Sequence, residues 1–246
     1  MNYTFSSFRL LAFLVCLLGG TTQAHSETLR LNSGVGAPYF QSDKQGFLDL
    51  LIPEVFRRIG TSAEAVRYAA AERAMINANI GVDDGVAMRI KGLEKTYPNL
   101  VRIEEKILDN DFVAYSSKAM PKTISFDSIK TYQVAYINGW KIFESGLPRE
   151  TPVTTVQDAE QLFSLLINDR ADLVLFERWQ GNHILRERNI KAQALSPALA
   201  TTEMFMYLHS KHSRLVEPAA RALRDMKADG TYQRIAAQTL PGYIRK

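Results

Sequence analysis

The chain has 246 residues, 46% of them hydrophobic and 23% charged, with a formal net charge of +4. That mild excess of base is spread along the chain, so nucleic-acid binding is not supported, and neither low-complexity segments nor internal repeats are present. Cys16 is the single cysteine, which leaves little room for a disulfide framework, a zinc–thiolate site or a cysteine nucleophile.

Arg9, the apolar run Leu10 to Leu18, and small residues at Thr22 and Ala24 predict a secretory leader, residues 1–24. Cleavage after Ser26 would suit nearly as well as cleavage after Ala24. The apolar run falls short of the ~20 residues that span a membrane. Cys16 follows Leu14 and Val15 rather than small residues, so no lipid anchor is expected. Export without cysteines points to the bacterial periplasm. Removal of the leader leaves 222 residues and a charge of +3, enough for one large domain or two small lobes.

Leu29–Asn32 reads as a strand ending in Ser33-Gly34-Val35-Gly36. Helical spacing follows at Leu48, Ile52, Val55, Phe56 and Ile59. Pro53 suits only the first turn of a helix, which places the start near Asp49. Ala65–Tyr68 is a strand, Glu72–Ile80 a helix stopped by Gly81, and Gly85–Met88 the next strand. Leu100–Ile103 and Phe112–Ser116 read as strands. Gln133–Ile137 is a strand leading into Asn138-Gly139-Trp140 and a short helix. After Val153-Thr154, Thr155 and Asp158 form a capping pair for a helix that packs Leu162, Phe163 and Leu166. Asp172–Phe176 is a strand, Trp179–Arg188 a helix and Met204–Leu208 a strand. A terminal helix packs Leu215, Ala219, Leu223 and Met226 and stops at Asp229-Gly230. Alternating strands and helices indicate α/β architecture with mainly parallel sheets.

Catalytic signatures are absent: no G-x-S-x-G elbow, Walker loop, H-E-x-x-H or C-x-x-C is found. Gly34-Val35-Gly36 lacks the third glycine of a dinucleotide loop, and Asp83-Asp84-Gly85 lacks the spaced acids of a calcium loop. The latter is read as a turn, with Asp bonding its own backbone and Gly relaxing it. His209 and His212 have metal-ligand spacing but no acidic neighbour in sequence, which favours a solvated turn. No metal or cofactor is expected. Arg89 stands out because it follows a short strand, where α/β proteins bind ligands.

Several stretches together resemble the bacterial periplasmic solute-binding proteins of the amino-acid type. They are Leu29–Phe40 with Ala37-Pro38-Tyr39-Phe40, Gly46-Phe47, Ala74 to Arg89, Ala171 to Glu177, and Lys227-Ala228-Asp229-Gly230-Thr231-Tyr232. The resemblance implies the type II periplasmic-binding fold: two α/β lobes, 27–114 plus 203–246 and 115–202, joined by a two-segment hinge. It implies a non-enzymatic protein that closes on a small polar ligand, an amino acid or a related zwitterion or carboxylate. Its partner would be an inner-membrane ABC permease, with the chain acting as a monomer. A dehydratase-like enzyme or a protein that senses the ligand for a membrane receptor remains the alternative.

By the same resemblance, Tyr39 or Phe40 stacks on the ligand, and backbone N–H groups at Gly139 and Trp140 meet its anionic group. Glu177 receives its amine, unless Arg178 neutralises Glu177. The usual carboxylate-binding arginine is replaced by Glu94-Lys95, so Arg89 is the candidate for that role, facing Glu177 across the cleft.

Overall fold

The structure, a computed structural model, describes residues 27–242 except 69, 70 and 122. The expected leader therefore lies outside the described residues.

In chain order the elements are β1 (Leu29–Ser33), α1 (Phe47–Arg57), β2 (Ala63–Arg67), α2 (Ala71–Asn79) and β3 (Gly85–Ile90). They continue with β4 (Leu100–Arg102), β5 (Leu108–Ser116), β6 (Val134–Ile137), α3 (Lys141–Gly146) and β7 (Val153–Val156). Then come α4 (Ala159–Ile167), β8 (Leu173–Glu177), α5 (Arg178–Glu187), β9 (Gln193–Ala194) and β10 (Ala200–His209). Two helices, α6 (Val216–Ala228) and α7 (Thr231–Thr239), end the described chain. Sequence reading placed one helix there. Gly230 is left-handed (φ 84°) and turns the chain directly into α7.

Among the described residues all ten strands join one sheet, whose main path is β2-β1-β3-β10-β5-β8-β6-β7. β1 pairs in parallel with β2 and β3, and β6 with β7 and β8. Between these parallel sets, β10 and β5 pair antiparallel from Ala200↔Phe112 to Met204↔Leu108. β10 then runs along β3, and β5 runs along β8. The chain thus crosses twice between two halves.

The buried apolar clusters follow that division. Leu31, Phe47, Leu51 and Phe56 pack with Leu223, Met226 and Ile235 in the first half. Phe47 meets Tyr232 edge-on, and Arg58 pairs with Asp229 at 2.6 Å, so the C-terminal helices close over α1. Tyr115, Leu162, Phe163, Val174 and Phe176 form a core of the second half. β8 is buried along its whole length, which its run Leu173-Val174-Leu175-Phe176 requires.

Three local expectations are corrected. α1 begins at Phe47, so Pro53 is its seventh residue and lines a surface hollow. Pro53 has no N–H to give the carbonyl of Asp49. Asp158 alone caps α4, accepting from Gln161 N at 2.8 Å, while Thr155 lies in β7. Asp84 does not bond its own backbone. Its Oδ2 accepts from Arg30 N (2.9 Å), while its N–H donates to Arg30 O (2.8 Å). It also holds Lys211 at 2.8 Å and His212 Nε2 at 2.6 Å, so the histidine has an acidic neighbour in space. Asp172 repeats the device with Gln133, N–H to O at 2.8 Å and N–H to Oδ2 at 3.0 Å, and holds Lys118 at 3.0 Å. Each half thus ties its helix–strand turn to the neighbouring strand by a carboxylate.

A Cβ added to Gly85 would lie 2.2 Å from Tyr207 O on β10. Gly85→Ala is expected to cost about 1–3 kcal/mol in urea denaturation. An unchanged midpoint would contradict this pairing of β3 with β10.

Candidate functional site

In open α/β sheets ligands bind beyond the carboxyl ends of the parallel strands. In the first half β1 leads there into the turn 34–40, and β3 ends at Arg89-Ile90. In the second, β6 leads into Gly139-Trp140 and β8 ends at Glu177. Tyr39 and Glu177 bring the two edges together: the phenol oxygen is 3.2 Å from Glu177 Oε1 and 3.1 Å from Asn110 Oδ1. A phenol has one proton, so it donates to one of them at a time. A Cβ on Gly36 would lie 3.7 Å from Gln180 Oε1 and 3.8 Å from Arg67 Nη2, so this turn also abuts the start of α5.

Glu177 is the N-cap of α5. Its Oε1 accepts from Trp179 N and its Oε2 from Gln180 N, both at 2.8 Å. These bonds satisfy donors that a helix start otherwise leaves open. The residue is 1% exposed. Burial pushes its pKa up to about 7, against the pull of the two amides and of Tyr39. Tyr39 is raised well above its ordinary value by burial, and next by the Glu177 charge. Arg178 does not neutralise Glu177: it pairs with Asp111 at 3.0 Å, and Asp111 also accepts from the Thr201 hydroxyl at 2.8 Å. Trp179 packs against the core of the first half.

Arg89 lies within β3, opposite Phe205 of β10, rather than just past the strand. It is half-buried; burial lowers its pKa, and the Tyr97 and Glu72 groups oppose that. Glu72 is exposed in the first turn of α2, and its Oε1 accepts from Tyr97 OH at 2.9 Å. Arg89 and Glu177 thus have separate sets of neighbours.

The aromatic candidates divide. Phe40 is buried among the apolar side chains of the first half. Tyr39 is 0% exposed, with its ring edge-on to Phe47, and its hydroxyl reaches the other half. Trp140 is half-buried, 4.9 Å from Phe176 and 5.7 Å from Phe143 in stacked geometry, and edge-on to Phe112. Phe112, itself half-buried, stands opposite Glu177 in the sheet. Gly139 is exposed with φ 85°, and its N–H donates to Glu144 Oε1 at 3.1 Å.

Sequence reading missed Asn110, Phe112, Gln180, Glu72 and Tyr97 at these edges. Only Gln180 carried a signal, standing three residues after an acid, which is capping spacing. A hollow of about 640 Å³ lined by Leu50, Pro53, Arg57 and Ser62 sits at the amino end of β2, on the opposite edge of the sheet. Among the described residues no cluster of metal-ligating side chains occurs, and no helix is long and apolar enough to cross a membrane.

No protein-family model matches the chain. An uncharacterized protein of Shewanella oneidensis is 24% identical over 213 residues, covering 81% of this chain and 80% of that one. The second substrate binding domain of a putative amino acid ABC transporter from Streptococcus pneumoniae aligns with TM-score 0.68 and 16% identity, over 87% of this chain and 100% of that one. The GluR0 ligand-binding core in complex with L-glutamate aligns with TM-score 0.74 and 12% identity, over 88% and 99%. The chain therefore has the two-lobed type II periplasmic-binding fold.

Glu177 has a higher pKa folded (about 7) than its ordinary 4.5, so the native state holds the extra proton between those values. Its contribution to stability is full below about 4.5 and is lost as pH rises through about 7, amounting to about 3 kcal/mol. His183 and His209, whose pKa values are lowered mainly by burial, act in the opposite direction below their ordinary 6.5. The difference between wild type and Glu177→Gln isolates the carboxylate. That difference, from urea unfolding at pH 5 to 8, should shift in favour of the variant as pH rises. A difference independent of pH would refute the raised value.

Proposed function

We propose that the protein binds a small polar ligand between two lobes, 27–114 plus 203–246 and 115–202, which close on it. The observation that carries this reading is the meeting of carboxyl strand edges from both halves, where Tyr39 of one bonds Glu177 of the other. The ligand would be an amino acid or a related zwitterion or carboxylate. The fold neighbours described as an amino acid transporter's substrate binding domain and as a glutamate-bound core support that class. Delivery to an ABC permease from the periplasm follows from the same likeness.

In this reading Arg89 meets the ligand's anionic group, since a guanidinium grips a carboxylate with two parallel bonds. Phe112 of the crossing strand β5 and Trp140 of the second lobe supply an aromatic wall, and the exposed Gly139 backbone borders it. Tyr39 and Glu177 set the approach of the lobes, because both are buried and bonded to each other. Closure would be favoured by the difference in ligand affinity between closed and open forms.

A thermal-shift screen of the leader-free chain against amino acids, polyamines and small carboxylates tests the proposal. A ligand at 100 times its dissociation constant should add ~2.7 kcal/mol of stability. Arg89→Ala should fold yet lose roughly 2–5 kcal/mol of affinity for that ligand. Arg89→Lys should recover only part of it, because an ammonium lacks the planar fork. Wild-type affinity in both variants would exclude Arg89 from the site.

A further inference from the structure

We infer that the ligand's cationic end is received by Glu72, so that both poles of a zwitterion dock on the first lobe beside Arg89. This rests on the binding reading above and names its ligand subsite.

The inference follows from what each acid near the strand ends is already doing. Glu177 occupies the equivalent position to Arg89, five residues after the matching aspartate, and is the acid expected to meet an amine. Its two oxygens, however, hold Trp179 N, Gln180 N and the Tyr39 hydroxyl, and the side chain is sealed from solvent. An ammonium reaching it would have to displace the helix cap. Asp111 is held by Arg178 and Thr201. Asp83 and Asp84 precede β3 and so lie at its amino end, bonded to Asn32 and Arg30.

Glu72 differs from all of these. It is exposed, and it sits in the first turn of α2, the helix that leaves the carboxyl end of β2. That is the same edge of the sheet on which β3 presents Arg89. The Tyr97 hydroxyl donates to Oε1 at 2.9 Å and orients the carboxylate, leaving Oε2 for another donor. Arg89 lies within electrostatic reach of both Glu72 and Tyr97. The cluster therefore holds a cation, an acid and a phenol at the edge where ligands bind.

This arrangement selects between ligand classes by repulsion as well as attraction. A plain carboxylate that approaches Arg89 also meets the Glu72 charge. A molecule whose ammonium lies a few ångströms from its carboxylate satisfies both side chains and places a cation beside the Tyr97 ring. Arginine and glutamate on one lobe would let the open form take up the ligand before the second lobe closes.

Isothermal titration of the leader-free chain with the twenty L-amino acids tests the assignment. The tightest binder is then compared with its des-amino carboxylic acid in wild type, Glu72→Gln and Glu177→Gln. Wild type should prefer the amino acid by at least a hundredfold. Glu72→Gln should weaken the amino acid at least tenfold while the des-amino acid binds equally or more tightly, so that the preference collapses. Loss of a merely structural Glu72–Tyr97 bond would weaken both compounds alike and leave the ratio intact, which overturns the inference. A collapse of the ratio in Glu177→Gln with none in Glu72→Gln also overturns it. A wild-type protein that binds no amino acid defeats the amino-acid reading itself, and this assignment with it.

Discussion

The antiparallel pairing of β5 with β10 is the constraint on which the rest of the molecule depends. Over five residues, Leu108–Phe112 against Ala200–Met204, these strands bond to each other. On either side each joins a different parallel set. The hydrogen bonds of the sheet are therefore continuous, while the apolar cores are divided. Main-chain bonding resists separation of the halves, and the divided core leaves little apolar packing to resist their rotation. Side chains brace the crossing. Asp111 on β5 holds Thr201 of β10 and Arg178 of α5, and Lys227 of α6 bonds Glu105 and the carbonyl of Lys106 just before β5.

Against that crossing stands a carboxylate in a costly place. Removing Glu177 from water disfavours its charge, and three donors are needed to hold it. Burial raises its pKa to about 7 and outweighs the lowering by the bonds. An N-cap is worth about 0.5–2 kcal/mol by itself, which does not offset that burial. What the carboxylate provides in addition is geometry. It fixes the start of α5 and the phenol of Tyr39, for whose proton Asn110 of the crossing strand competes. Phe47 packs edge-on against the Tyr39 ring, and a Cβ on Gly46 would lie 2.5 Å from the main-chain carbonyl oxygen of Tyr39, so a side chain there would displace the turn.

The alternation of strands and helices was legible because burial imposes a period on each element. The apolar run of β8 survives intact in the structure, and so does most of the helical spacing of α1 and α6, with Ile59 falling past the end of α1 and Leu215 just before α6. What sequence could not supply were partners distant along the chain. His212 gained Asp84 across 128 positions, and Arg178 chose Asp111 across 67 rather than the adjacent Glu177. Local rules also yielded to packing. Pro53 sits inside α1 because that helix is anchored by Phe47, Leu48, Leu51, Ile52, Val55 and Phe56, all buried. Of the candidate site, Tyr39 and Glu177 were found as residues, but their bond to each other carries no sequence signature. Glu72 was read only as the start of a helix, since an exposed acid in a first turn is ordinary helix chemistry.

Arg89 and Glu177 show how one topological position acquires two roles. Both stand five residues beyond an aspartate that ties its turn to the next strand, Asp84 to Arg30 and Asp172 to Gln133. After Glu177 the chain enters a helix at once, so the side chain folds back onto its own amides and closes over. After Arg89 the strand runs one residue further, to an exposed Ile90, and the chain then passes through Gly92 into a short 3-10 turn. The short turn there is entered through Gly92, three residues past Arg89, and a guanidinium, having no acceptor, could not cap it. The charge at Arg89 therefore stays at the edge of the sheet, beside Glu72 and Tyr97, while the charge at Glu177 is turned inward. The same aspartate-tied turn, used once in each half, leads in one to an internal brace and in the other to a charged edge.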